Sequence, residues 1–330
     1  MYPVLKYFQQ TIAIFSFFTN GLLIFLITYK SPKSMGSYRY LMMFMCGFEL
    51  CYSIIDVLIS PEVVTNAYYW MCGTNVNQSL ISIKYAYPSL CETPSLEILS
   101  LQNFSVIWVA SLGIALASFG VQFVFRYLIV TRKNKWVTGT FKLYMWLFVP
   151  IISGSFFALV VDSCLLLDQE NYRFIISKMK DLKAFPLENY IYFGFSLFNP
   201  RSKLINWSQV KGIIILISLV CISFIAILYF GSNVYFAIKQ LSDCNTELSS
   251  ASKAFQTQLF YSLVVQTIIS IFLIHLPSTI LVINSFLGTA YETYGNLMTI
   301  TISLFPAIDP LATFVIIKPY REAVIGKFKR

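Results

Sequence analysis

Apolar residues run along the chain in seven blocks, each long enough to cross a bilayer and separated by shorter polar segments. About 20 apolar residues span a bilayer as a helix, because a helix satisfies its own backbone where lipid offers no partner. The pattern predicts helices at 8–29, 40–61, 101–125, 141–161, 212–235, 257–285 and 296–317. A polar turn from Lys30 to Gly36 splits the first two blocks. Pro150 and Gly154 lie inside the fourth, and Pro277 inside the sixth predicts a kink there. The ten-residue alternation of a membrane β-barrel is absent. The first block is longer than a signal-peptide core and ends in Thr28-Tyr29-Lys30, so it is expected to stay as a span. The expected fold is all-α, a single seven-helix transmembrane domain with a short basic tail at 318–330.

Composition agrees with that pattern. Of 330 residues 57% are hydrophobic and 12% are charged, about half the charge of a soluble surface. The net charge of +9 becomes informative only once it is located. With the N-terminus outside, the cytosolic segments carry fifteen of the 24 basic residues and three acids, Asp243, Glu247 and Glu322. The outer segments carry nine of each sign. Such asymmetry predicts N-terminus out and C-terminus in. It also removes the argument for nucleic acid, since anionic lipid accounts for a basic inner edge.

The outer segments bear two further marks. Asn-X-Ser/Thr glycosylation sequons occur at Asn77, Asn103 and Asn206, of which Asn77 and Asn206 are the expected sites. Cys72, Cys91 and Cys164 fall on the oxidising side. The expected bridge is Cys91–Cys164, with Cys72–Cys91 as the alternative that sequence leaves open.

Catalytic chemistry is scarce. His275 is the lone histidine, and no Gly-rich phosphate loop, nucleophile elbow or paired His/Cys ligand set occurs. No enzyme, cofactor or metal is therefore expected. Carboxyl groups inside a bilayer are costly and default to functional candidates. Three fall within spans: Glu49, Asp56 and Asp309. At 1.5 Å per residue, Glu49 and Asp309 lie roughly 13 and 12 Å from the same surface, close enough in depth for a shared polar network. Asp56, seven residues on from Glu49 and on the same helix face, is placed to line an outer ligand cavity. A purely structural role for each acid, capped by Ser or Thr neighbours, is the competing reading. The tail repeats Tyr320, Val324 and Phe328 every four residues among basic residues. That spacing suits an amphipathic helix on the membrane surface or, at this length, a frayed tail.

The order of several short motifs carries a resemblance. They are Met35 to Met43 entering span two, Phe48-Glu49 with Tyr52 and Asp56 to Pro61 along it, and Phe125-Arg126-Tyr127 closing span three. Gln256 to Phe260, Gln266 and Pro277 follow in span six, then Asp309-Pro310-Leu311 and Tyr320-Arg321. The set resembles seven-helix receptors coupled to G proteins, and more narrowly the nematode serpentine chemoreceptors of the Str kind. The resemblance covers essentially the whole chain. It implies an odorant-like small-molecule ligand, a sensory-neuron membrane such as the cilium, and a heterotrimeric G protein as partner. It further implies a G-protein-coupling role for Arg126 and Tyr127, and switch roles for Pro277 and Pro310. Phe125 stands where the common pattern has an acid, and no Tyr follows Pro310 three residues later.

With no Lys or Arg deep in a span, the ligand is expected to be neutral and largely apolar. A ligand-gated cation channel or a small-molecule transporter is the alternative reading. Ser242, Thr246, Ser249, Ser250 and Ser252 form the available cytosolic Ser/Thr cluster, which a plain solvated loop also explains.

Overall fold

The computed structural model describes residues 2–32, 35–67, 69–75, 94–131, 133–137, 139–165, 190–199, 202–243 and 250–328. Asn77, Cys91, Thr246 and Ser249 lie outside the described residues. Seven long apolar helices run as α1 (Tyr2–Lys30), α2 (Tyr38–Ile59), α3 (Pro94–Val130), α4 (Thr140–Cys164), α5 (Trp207–Asp243), α6 (Ser250–Leu287) and α7 (Glu292–Ile316). Several exceed their expected bounds. α3 begins before residue 101 and runs past 125, and α5 outruns 212–235 at both ends. Hydropathy marks the part of a helix that lipid requires, and polar end turns add length beyond it.

The all-α expectation needs one correction. Strands β1 (Glu62–Asn66), β2 (Tyr69–Asn75) and β3 (Tyr190–Ser196) form an antiparallel sheet in the order β1-β2-β3. Asn66 pairs with Tyr69 across a tight turn in which Ala67 takes a φ of 47°, and the Ala67 N–H donates to the Ala290 carbonyl at 2.8 Å. The strands are rich in Val, Thr, Tyr, Trp and Phe, which favour a pleated, half-buried surface. Trp70, Phe195 and Val63 insert from the sheet among Tyr52, Trp108, Leu281 and Ile302, so the sheet plugs one end of the bundle. Burial pushes the Cys72 thiol of β2 well above its ordinary range.

β1 is fastened to α7. The Val63 N–H donates to Thr299 Oγ1 at 3.2 Å, and the Thr65 hydroxyl donates to the Tyr291 carbonyl. Gly295 permits the approach: a Cβ there would meet the Val63 oxygen at 2.2 Å. α3 is the most enclosed span and α5 the least. The α3–α4 crossing is tight because a Cβ on Gly154 would meet the Ala110 carbonyl oxygen at 2.7 Å and Ile114 Cγ1 at 2.3 Å. Away from α3, α4 exposes Phe141, Tyr144, Phe148, Ile152 and Leu159, an apolar face suited to lipid.

α6 changes pitch. Between its α-helical segments Ser250–Ser270 and Leu276–Leu287 runs a wide π turn, Ile271–His275. The Leu276 N–H accordingly reaches back five residues to the Ile271 carbonyl. Pro277 has no N–H to donate and would crowd the carbonyl four residues earlier, so the expected distortion takes the form of a wide turn directly before it. His275 in that turn packs edge-on to Phe224 of α5, with centroids 5.0 Å apart.

The basic tail is helical: α8 spans Lys318–Phe328. Tyr320 holds it, fully buried among Leu26, Tyr38 and Ile317, with its hydroxyl 2.6 Å from Ser31 Oγ after α1.

Two outcomes test this packing. Gly154→Ala should lower the melting temperature of the detergent-purified chain, since overpacking costs about 1–3 kcal/mol. Gly21→Ala, with nothing within 4 Å of the added carbon, should leave it level or higher; equal losses from both would contradict the close crossing. Burial pushes the Tyr320 phenol up from 10.0 to about 12. Docking of α8 through the neutral phenol is therefore intact below pH 10 and lost as pH rises through about 12. A fluorophore pair on α1 and α8 should separate over that window in the parent and not in Tyr320→Phe.

Candidate functional site

Three polar layers lie along the bundle axis. At the sheet end, Asp56 of α2 is buried, and both of its oxygens are engaged. Trp108 Nε1 of α3 donates to Oδ1 at 3.1 Å and Ser303 Oγ of α7 donates to Oδ2 at 2.7 Å. Charge-assisted hydrogen bonds of this kind are the strong ones, so the carboxylate ties three helices together beneath the sheet. Tyr52, one turn earlier on α2, is buried beside the same carboxyl group.

The middle layer grows out of α7. Pro310 supplies no N–H, so the carbonyl of Pro306, one turn earlier, loses its helical partner. α1 replaces it: Asn20 Nδ2 donates to the Pro306 oxygen at 2.8 Å and Ser16 Oγ at 3.1 Å. Ser53 Oγ of α2 donates in turn to Ser16 Oγ at 2.8 Å, and Thr19 Oγ1 reaches the Ala307 carbonyl at 3.4 Å. Beside this knot the expected pair meets: the Glu49 and Asp309 carboxyl groups face each other, both buried. Gln266 Nε2 of α6 donates to Asp309 Oδ2 at 2.5 Å. Glu49 and Asp309, with Gln122, Gln266 and four apolar residues, line a cavity of about 10 Å³, and no Lys or Arg is among them. That volume suits one water-sized group and excludes an organic ligand. Ser262 and Thr313 pair at 3.0 Å where the common pattern has a tyrosine after Pro310.

At the α8 end, Arg126 is fully buried, with no acid paired to it among the described residues. Nη2 donates to the Gln256 backbone carbonyl of α6 at 2.6 Å, and the guanidinium lies over the Tyr38 ring, 5.2 Å from its centroid. Nε and Nη1 have no hydrogen-bond partner. Tyr38, at the start of α2, is itself held by its hydroxyl to Gln122 Oε1 at 3.2 Å. Phe125, standing where the common pattern has an acid, packs edge-on to Trp146 of α4. Tyr127 faces α5 instead, 5.5 Å from Phe230.

Other expected residues fall elsewhere. Cys164 closes α4 as a half-buried free thiol packed on Gly212 of α5, while its expected partner Cys91 lies outside the described residues. Asn206 sits just ahead of α5, at the sheet end, with its N–H donated to the Leu197 carbonyl at 2.9 Å. Residue-by-residue reading passed over Asn20, Ser16, Trp108, Ser303 and Tyr38. The polar pair Thr19-Asn20 in the middle of the long apolar stretch of α1 was the available signal for Asn20.

Comparison with known proteins fits this geometry. The profile of the Serpentine type 7TM GPCR chemoreceptor Str family matches residues 5–325. The chain belongs to this family. The Caenorhabditis elegans protein named G-protein coupled receptor str-217 is 26% identical over 96% of this chain and 89% of its own length. G-protein coupled receptor str-33 from the same organism is 26% identical over 98% of this chain and 92% of its own. The crystal structure of squid rhodopsin aligns with a TM-score of 0.64 at 11% identity, covering 99% of this chain and 85% of that one, which establishes likeness of fold alone. The Str chain is thus a multi-pass membrane protein of a receptor family rather than an enzyme family, and the order of motifs from Met35 to Arg321 pointed to it correctly.

Loss of the middle knot should be measurable. Asn20→Ala leaves the orphaned Pro306 carbonyl with Ser16 alone, and loss of one buried hydrogen bond costs about 0.5–1.5 kcal/mol. The melting temperature in detergent should fall accordingly; an unchanged value would show that the amide does not hold α1 to α7.

Proposed function

We propose that this Str-family chain is a chemosensory receptor of sensory-neuron cilia. In this reading it binds a small, neutral, largely apolar odorant-like ligand at the sheet end and signals to a heterotrimeric G protein at the α8 end. The N-terminus lies outside and the C-terminus in the cytosol. Orientation is supported by Lys30, Arg39, Lys133, Lys135, Lys142 and Arg321, which cluster at the α8 end, while the Asn206 sequon lies at the other. The relatives' names supply the coupling to G proteins.

The observation that carries the reading is the position of Arg126. Among the described residues it is the only buried cation, and its single hydrogen bond goes to the backbone of α6. A buried guanidinium with two unpartnered nitrogens is costly, so displacement of the near end of α6 both frees it and offers it to a partner. The π turn before Pro277 gives α6 a place to bend. At the sheet end, a ligand that takes over the Trp108 or Ser303 hydrogen bond to Asp56 loosens α3 from α7. Ligand shifts the balance only by binding the displaced state more tightly. A neutral ligand fits because the sheet end of the bundle offers no buried cation among the described residues.

Two variants test this, each compared at equal surface expression with G-protein activation as readout. Arg126→Ala should abolish ligand-driven activation, and normal signalling from it would overturn the coupling role. Tyr38→Leu removes a cation–π contact of about 0.5–2 kcal/mol and should raise ligand-free activity roughly two- to thirtyfold. Unchanged ligand-free activity would show that the ring does not hold Arg126 at rest.

A further inference from the structure

The described residues of the turn between α3 and α4 are tied to the bundle, and the proposed signalling scheme gives them no task. Val137 is buried in the core beside Phe125 and Tyr38. Trp146 Nε1 of α4 donates to the Trp136 carbonyl at 3.1 Å, and the Trp136 N–H donates to the Lys133 carbonyl at 3.2 Å. The Lys142 ammonium donates to the Lys135 carbonyl, which closes the platform against the first turn of α4. What this scaffold leaves outside is specific in kind. Lys133, Lys135 and Lys142 are exposed, the Trp136 ring is 66% exposed, and the Phe141 ring is 77% exposed. No acidic residue occurs between Arg126 and Val161, so the three ammonium groups have no counter-charge in their own stretch of chain.

A polyanion is the chemical complement of three lysines, and the two aromatics decide which one. Phe141 begins the apolar strip that continues through Tyr144, Phe148 and Ile152 along the lipid-facing side of α4. Trp136 stands at the foot of that strip, the level at which amphipathic rings sit at a membrane surface. A protein partner docking from the aqueous side would not need rings continuous with the hydrocarbon face. We infer that Lys133, Lys135 and Lys142, with Trp136 and Phe141 as anchors, form a site for the phosphate-bearing headgroup of an anionic phospholipid, favouring the polyphosphorylated inositol lipids. Each lysine near a membrane surface adds about fivefold to such binding, and the three fall within ten residues of one another at the start of α4. Through Trp146, which bonds the Trp136 carbonyl and stacks edge-on to Phe125, the platform abuts the residue next to Arg126.

That the lipid comes from the inner leaflet rests on the orientation proposed above; headgroup binding itself does not. The test uses the full chain in nanodiscs of phosphatidylcholine with a small fraction of fluorescent phosphatidylinositol bisphosphate in both leaflets, scored by energy transfer from a dye on α4. Its outcome is independent of which end faces the cytosol, which a surface-antibody assay of an N-terminal tag decides separately. Lys133→Gln/Lys135→Gln/Lys142→Gln should weaken retention by roughly a hundredfold. Lys239→Gln/Lys318→Gln/Arg321→Gln, with the same loss of charge, should weaken it less than tenfold. Trp136→Ala should weaken it severalfold with the lysines intact. Equal losses from the two triple variants would reduce the effect to general surface charge and overturn the site. Full retention by the first triple variant, with G-protein activation lost, would assign the platform to the protein partner instead.

Discussion

The constraint on which the bundle depends is a single carbonyl that its own helix cannot satisfy. Pro310 removes the donor that should meet the Pro306 oxygen, and hydrocarbon offers no substitute. Asn20 and Ser16 supply it from α1, and Ser53 of α2 closes on Ser16. One missing N–H in α7 thereby fixes the mutual position of three helices. Apolar packing could not do this alone, since apolar side chains gain little from leaving lipid for each other. Position along the membrane is set by hydrophobicity, and position around the bundle by these few polar groups and by close approaches such as Gly154 on Ala110.

The same division explains how much could be read from sequence. The number, order and approximate place of the seven helices follow from hydropathy, because lipid enforces a local rule on every span. The depth argument brought Glu49 and Asp309 together for the same reason: rise per residue is fixed, so depth is a local property. Which helix faces which is not local. Nothing in the sequence around Trp108 or Ser303 says that both donate to Asp56, and Asn20 acquires its role only from a proline some 290 residues away. The sheet escaped for another reason. Its strands are short, the third follows the hairpin by more than a hundred residues, and all three lie in connections beside far stronger helical signals. The β-branched run Val63-Val64-Thr65 and the aromatic run at Tyr190–Ser196 were nonetheless on view.

Charge and burial sort the bundle into two ends with different chemistry. At the sheet end a carboxylate is held by a tryptophan and a serine under a three-stranded cover. At the α8 end a guanidinium is held by a ring and a backbone carbonyl. The tryptophan, Trp108, and the guanidinium, Arg126, both lie on α3, eighteen residues apart and so roughly 27 Å along one helix. α3 is the most enclosed span, which in the proposed scheme makes it the post against which α6 shifts. α6 is the complement: it bonds Arg126 at one end, carries Gln266 to Asp309 in the middle, and is interrupted between the two α-helical segments by its π turn.

Replacing an acid by Phe125 changes what kind of resting contact is available. An arginine beside a carboxylate gains a strong but charge-dependent bond, and the pair must be stripped of water together. Here the guanidinium keeps its charge but is met by neutral groups, a carbonyl dipole and the face of Tyr38. Such a clasp is weaker than a buried ion pair, and it leaves Nε and Nη1 unmet. In the proposed two-state scheme, a clasp with two unmet nitrogens narrows the free-energy gap to the released state. A small gap lets a weakly binding ligand move the equilibrium, because the shift available is limited by the ligand's preference between states rather than by its total affinity. Small apolar molecules offer few contacts and modest affinity. A receptor for them gains more from a resting state that yields easily than from a site that grips hard.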